Sequence, residues 1–299
     1  MKSYLEATAR ARIAAVFDTG SFREFMPPAS RVISPHLAQL DAPVSFDDGV
    51  AVGAALLAGM KVFAAAQEGR FMGGAVGEVH GAKLVGMLRG AVQHRAEAVV
   101  LLLESGGVRL HEANAGLIAV SEVMRAVLDT RAAGIPVLAL IGGGNGCFGG
   151  MGIVARCANV VVMSDEARLG MSGPEVIETA SGVEDFDSQD RALVWRTTGG
   201  KHRTMMGDSA TLVDDDTAAF RQAAIDAIVH CRTQPVELTL AALEAEQQML
   251  AERLERFGDA DDALDIWTAL GVPNAPQLPL LDAAAFMRLA ASHRAGDGR

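Results

Sequence analysis

Two strand-to-helix turns constrain this chain more than any other feature. Residues 98–110 read AVVLLLESGGVRL, and residues 135–152 read IPVLALIGGGNGCFGGMG. In each, an unbroken apolar run ends on glycines and passes into a segment of helical period. A strand covered on both faces reads as such a run, because neither side can be polar. NVVVMS (159–164) is a third run of this kind. Strands and helices alternating at this spacing imply parallel β-α-β units joined by right-handed crossovers.

The intervening segments fit that frame. EANAGLIAVSEVMRAVLDTRAAG reads as an amphipathic helix with Leu117, Val120, Met124, Val127 and Leu128 inward and a stop at Gly134. Upstream, AVGAALLAGMKVFAAAQEG suggests hairpin or sheet-edge strands. HGAKLVGMLRGAVQHR reads as a helix with Leu84, Met87, Leu88, Ala91 and Val92 on one face. MKSYLEATARARIAAVF opens the chain as a short helix, and compact order is expected from about Val50. Past Gly173 the pattern weakens into a polar stretch, and helices follow over about 215–232, 236–257 and 281–294. Asp214 to Asp216 can cap the first of these, and Pro235 can open the second. Repeats and long linkers are missing, so one domain over 1–299 is expected, with its core at about 50–210 and a helical C-terminal part at about 211–299.

Composition narrows the function. A net charge of −11 with one Tyr and two Trp argues against nucleic acid, which needs a basic footprint or stacking platforms. Three cysteines without C-x-x-C spacing fit a reducing compartment. Glu6, Arg10 and Arg12 interrupt any signal-like segment and no apolar run reaches membrane-spanning length, so a soluble cytoplasmic protein without a membrane partner is expected.

A glycine-rich turn opening a helix leaves backbone N–H groups free and attracts negative charge. Two such turns on neighbouring strands can aim one N–H each at a single oxygen, the layout of an oxyanion hole. Other readings stay open at this level. Glycine at such turns is often only a steric need. Gly144-Asn-Gly146-Cys-Phe-Gly149, with Asp165 further on, matches a dinucleotide fingerprint locally. Cys147 at a helix start, His80 and His111 are candidate reactive groups, each without an evident partner.

Four motifs in order, RFMGGAVGEVHGAKLVGMLRGA, ESGGVRLHEANAGL, GGGNGCFGGMG and ARLGMSGPEVIE, resemble the carboxyltransferase branch of the crotonase superfamily over about residues 50–180. The resemblance implies an α/β crotonase-like fold of repeated β-β-α units with helical N- and C-terminal extensions. Within that branch the chain is most similar to the β subunits of biotin-independent malonate decarboxylases; the four-cysteine zinc ribbon of the acetyl-CoA carboxylase β subunit is missing. Members of that family work with a γ subunit of the same fold and an acyl carrier protein bearing a phosphoribosyl-dephospho-CoA arm. They convert malonyl-S-acyl carrier protein to the acetyl form and CO2, and this implies no cofactor bound by the chain itself. One enolate donor should come from Gly106, Gly107 or Val108, and the other from Gly149 or Gly150. The basic cluster around Arg196, Lys201 and Arg203 is expected to guide the acidic carrier or its arm. The alternatives are an acyl-CoA carboxylase carboxyltransferase subunit, a nicotinamide-dependent oxidoreductase and a non-catalytic scaffold subunit.

Overall fold

A computed structural model describes residues 2–39, 49–234 and 238–295. Among them, β1 (Arg23–Phe25), β2 (Val50–Leu57), β3 (Met60–Gln67), β4 (Ala98–Leu103), β5 (Val137–Ile141), β6 (Val160–Ser164) and β7 (Thr211–Val213) form one sheet in chain order. The first three strands are antiparallel, and β3 to β7 run parallel. The helices are α1 (Ala9–Val16), α2 (His36–Gln39), α3 (Glu78–Gln93), α4 (Asn114–Ala132), α5 (Gly150–Cys157), α6 (Pro174–Ser181), α7 (Arg191–Thr198), α8 (Gly200–Met205), α9 (Thr217–Thr233), α10 (Leu240–Phe257), α11 (Ala263–Ala269) and α12 (Ala283–His293). Among the described residues, no helix is long and apolar enough to cross a membrane.

The apolar runs form the middle of the sheet because both of their faces are covered. Val99, Leu101, Leu103, Val137, Ala139 and Ile141 join one core with residues of α3, α4, α5, α11 and α12. Ala98, Val100, Leu102, Leu138 and Leu140 join a second core with residues of α1 and α9. The N-terminal helix is therefore part of the folded body and covers one face of the sheet. β2 and β3 form a hairpin whose two-residue turn, Ala58-Gly59, has positive φ at both positions. Such a turn matches the right-handed twist of the paired strands. β3 is an interior strand, paired on both sides, so only the hairpin half of that expectation holds.

Two details depart from the sequence reading. Leu117 and Leu128 of α4 point outward, Leu117 with 58% of its surface exposed, while Ala119, Val123 and Ala126 are buried instead. Small residues win that face because α4 lies very close to α3: a Cβ on Gly81 would sit 2.5 Å from the Ala119 Cβ. The polar stretch after Gly173 also hides structure. Pro174 opens α6, the Asp190 side chain accepts from the Leu193 N–H to cap α7, and β7 extends the parallel sheet. The second C-terminal helix begins at Leu240 with Thr239 as its cap; Pro235 lies outside the described residues.

Burial predicts two different mutational costs in the isolated chain. Leu102→Ala, at a fully buried position, should lower the urea unfolding free energy by about 2–5 kcal/mol. Leu117→Ala should change it by no more than about 0.5 kcal/mol. Equal losses at the two sites would contradict the two-core arrangement.

Candidate functional site

Beyond the sheet, the chain makes a second layer of single-residue bridges. Val76 pairs with Val108, Ser105 with Cys147, Cys147 with Leu169, and Arg168 with Gly199. The second strand expected of each β-β-α unit is thus reduced to one bridge. The bridge between Ser105 and Cys147 sets the site. The Ser105 N–H donates to the Gly146 carbonyl and the Phe148 N–H to the Ser105 carbonyl, both at 2.8 Å, which ties the ESGG turn to the GGGNGCFGG turn.

Each turn consumes most of its own N–H groups. In the first, the Gly106 N–H donates to the Gly73 carbonyl at 2.8 Å and the Gly107 N–H to Ser105 Oγ at 3.2 Å. Gly107 has φ +138°, which lets the chain double back so that its carbonyl accepts from the Val76 N–H. In the second, the Gly149 N–H donates to the Met171 carbonyl at 2.9 Å. The N–H groups of Val108 and Gly150 make no hydrogen bond among the described residues. The turns also meet physically: a Cβ on Gly149, whose φ is +59°, would lie 3.2 Å from the Gly107 Cα. Val108 and Gly150 are both half-buried.

The glycines of the second turn are small for a reason the sequence does not display. A Cβ on Gly143 would sit 2.3 Å from the Glu104 carboxyl carbon, and one on Gly69 2.2 Å from Glu104 Oε1. The cleared space holds the Glu104 carboxylate, which is 6% exposed. One oxygen of it accepts from Arg12 Nη1, and the other accepts from the Asn145 N–H at 3.1 Å and from Asn145 Nδ2 at 3.2 Å. Gly150 is small because α4 is close, as a Cβ there would meet Val120 Cγ1 at 2.4 Å. Arg109 and Glu112 form a second buried ion pair, with the Glu78 N–H donating to Glu112 and Arg109 Nε donating to the Ala75 carbonyl at 3.0 Å. Sequence reasoning missed Arg12, Glu104 and Asn145, because nothing in their spacing links positions so far apart.

The other candidates are placed as follows. Cys147 is fully buried and its thiol is pushed well above the usual range by burial, so it stays protonated. His80 is buried, its Nε2 lies 3.2 Å from Gln67 Nε2, and burial followed by Lys83 lowers its pKa to about 3. Arg196 pairs with Asp262, Lys201 Nζ with Asp165 at 2.7 Å, and Arg203 with Asp208 at 3.3 Å. The three cations therefore do not stand together as an unpaired patch. Arg196 and Lys201 line a cleft of about 390 Å³ with Trp195 and Trp267, whereas Arg203 lines a separate one of about 220 Å³ beside α5. The dinucleotide reading loses its footing: among the described residues the strand order has no reversal to open a crevice, and the Asp165 carboxylate is engaged by Lys201.

Comparison with known proteins matches residues 6–247 to the carboxyl transferase domain family. The malonyl-S-ACP:biotin-protein carboxyltransferase of Malonomonas rubra is 40% identical over 93% of this chain and 92% of its own length. A chain in the crystal structure of a Pseudomonas malonate decarboxylase hetero-tetramer in complex with malonate is 39% identical, with a TM-score of 0.77 over 88% of this chain and 95% of that one. A chain of the corresponding hetero-dimer is 36% identical, with a TM-score of 0.66 over 86% and 97%.

Two outcomes follow from the geometry. Gly150→Ala should lower the thermal midpoint of unfolding, and adding Val120→Ala should recover much of the loss; Gly107→Ala, whose added Cβ meets nothing within 4 Å, should gain nothing from Val120→Ala. His80 and His202, both held neutral by burial with pKa values lowered to about 3, bind protons more readily in the unfolded chain. Their contribution to stability is complete above the unfolded pKa near 6.5 and is lost as pH falls below it toward about 3. Denaturant midpoints measured over that window should fall with acid, and His202→Phe should show a shallower fall.

Proposed function

This chain belongs to the carboxyl transferase domain family and is an enzyme acting on carboxyl groups, and from that premise we propose that it decarboxylates a carrier-bound malonyl thioester. The observation that carries the reading is the pair of unused N–H groups, Val108 and Gly150, on two turns bonded to each other. In the reaction, the bond between the methylene and carboxyl carbons breaks and CO2 leaves. The bonding pair stays behind as an enolate, so negative charge develops on the thioester oxygen. Donors fixed in advance at that oxygen stabilise the transition state more than the substrate. A proton then returns to the methylene carbon to give the acetyl thioester. The Val108 and Gly150 N–H groups are the proposed donors; Gly106, Gly107 and Gly149 shape the turns, their own N–H groups being engaged.

The same reading makes the chain one subunit of a hetero-oligomer, with a γ subunit of the same fold and an acyl carrier protein carrying the phosphoribosyl-dephospho-CoA arm. Support comes from the apolar residues around the turns. Leu110, just past the first turn, is 89% exposed, and Met171, bonded to the second, is 70% exposed. Large apolar side chains flanking a site mark a surface that a partner covers. Arg196 and Lys201 are the proposed contacts for the carrier arm, since both line the cleft with Trp195 and Trp267; Arg203 is a proposed contact for the carrier itself.

A second reading is favoured by the similarity to the Malonomonas rubra carboxyltransferase: the carboxyl group is handed to a biotin protein instead of being released. Both readings share the enolate step. Adding a biotinylated acceptor and then avidin to the reconstituted complex separates them, because only carboxyl transfer is blocked by avidin.

Replacing Val108 by its α-hydroxy analogue turns the Gly107–Val108 amide into an ester, which removes the N–H and weakens the Gly107 carbonyl as an acceptor. In the assembled complex kcat for the malonyl thioester should fall by at least on the order of 10². Full turnover by an assembled ester variant contradicts the proposed donor. Met171→Asp should prevent assembly with the γ subunit while leaving the isolated chain folded.

A further inference from the structure

We propose that Arg12, on the N-terminal helix, is a positioning residue for the oxyanion turn and acts through Glu104 and Asn145. The proposal rests on the reading of the two turns given above. Three facts carry it.

Arg12 is 1% exposed and all its nitrogens are engaged. Its Nε donates to the Tyr4 carbonyl at 2.9 Å, Nη2 to the Leu5 carbonyl at 3.2 Å, and Nη1 to Glu104. A guanidinium held at three points fixes the direction of the carboxylate it faces, as a lysine ammonium does not. Glu104 then divides its two oxygens, one to Arg12 and one to Asn145. Finally, Asn145 is the one residue with a side chain between Gly142 and Gly146, and it anchors that run twice. Its backbone N–H is held by Glu104, and its Nδ2 also donates to the Gly69 carbonyl at 2.9 Å. Glycine is conformationally permissive, so this tether holds the start of the turn that leads to Gly150, while the Ser105 bridge holds its end. Displacing an oxyanion donor by about 1 Å is enough to cost on the order of 10² in rate.

The test uses the reconstituted complex with Arg12→Met, Arg12→Lys, Glu104→Gln and the double variant Arg12→Met/Glu104→Gln. Two quantities are read: kcat and KM for malonyl thioester, and hydrogen exchange across residues 143–152. Arg12→Met should lower kcat by about 10- to 100-fold with KM little changed and with faster exchange in the turn. Arg12→Lys should recover only part of the loss. Because Arg12 works through Glu104, adding Arg12→Met to Glu104→Gln should lower kcat no further than Glu104→Gln alone. If a lone buried carboxylate stops Arg12→Met from folding, the double variant, in which neither group is charged, carries the test. An assembled Arg12→Met or double variant with wild-type kcat and unchanged exchange in 143–152 overturns the proposal. So does a loss confined to α1, or strict additivity of the two substitutions. If the wild-type complex does not turn over malonyl thioester, the reading of the site fails, and the exchange measurement still decides whether Arg12 holds the turn.

Discussion

Where β4 and β5 leave the sheet, at Leu103 and Ile141, their chains stay bonded to each other through Ser105, Gly146 and Phe148. That short parallel bridge is the constraint on which the site depends. It puts the two glycine turns side by side and uses up the N–H groups of Ser105 and Phe148. With those of Gly106, Gly107 and Gly149 bonded elsewhere, the N–H groups of Val108 and Gly150 are left without a hydrogen bond among the described residues. Backbone donors suit an oxygen whose charge appears only in the transition state, since they are held in place by the fold and need no reorganisation during reaction.

Within the glycine-rich turn, Gly143 is small because a buried carboxylate stands beside it. Gly69 and Gly143 vacate the volume that Glu104 fills, and Arg12 supplies the opposite charge from a helix 92 residues earlier in the chain. Burying both ions is expensive, and removing one partner of such a pair typically costs about 3–5 kcal/mol. The hydrogen bonds from Asn145 give Glu104 a second set of partners, and these join the N-terminal segment, the loop at Gly69 and the second turn into one network. A similar pair, Arg109 and Glu112, fastens the other side of the first turn to the loop at Ala75 and the start of α3.

Much of the architecture was legible because the middle strands are apolar on both faces. AVVLLL became β4 residue for residue, and NVVVMS and IPVLALI became β6 and β5 with trimmed ends. The malonate decarboxylase resemblance, carried by four motifs, agrees with the relatives found. Other features were illegible for physical reasons. Leu117 and Leu128 read as core by their periodicity, yet close α3–α4 packing gives the buried face to alanine and valine. The three residues of β7 carry too little pattern to stand out in a polar stretch. Gly150 reads as a donor position alone, and the room its missing side chain leaves for Val120 is visible only in the fold. Arg12, Glu104 and Asn145 come together only in three dimensions, and the cations at 196, 201 and 203 acquire carboxylate partners that no local spacing reveals.

Val108 and Gly150 are the proposed holders of the thioester oxygen as it gains charge. A crystal structure of the assembled complex with a malonyl thioester analogue that cannot lose its carboxyl group tests this directly. The oxygen standing in for the enolate should lie about 2.7–3.1 Å from both backbone nitrogens. An analogue bound in the site with that oxygen turned away from either nitrogen, toward a side chain or toward the partner subunit, would contradict it.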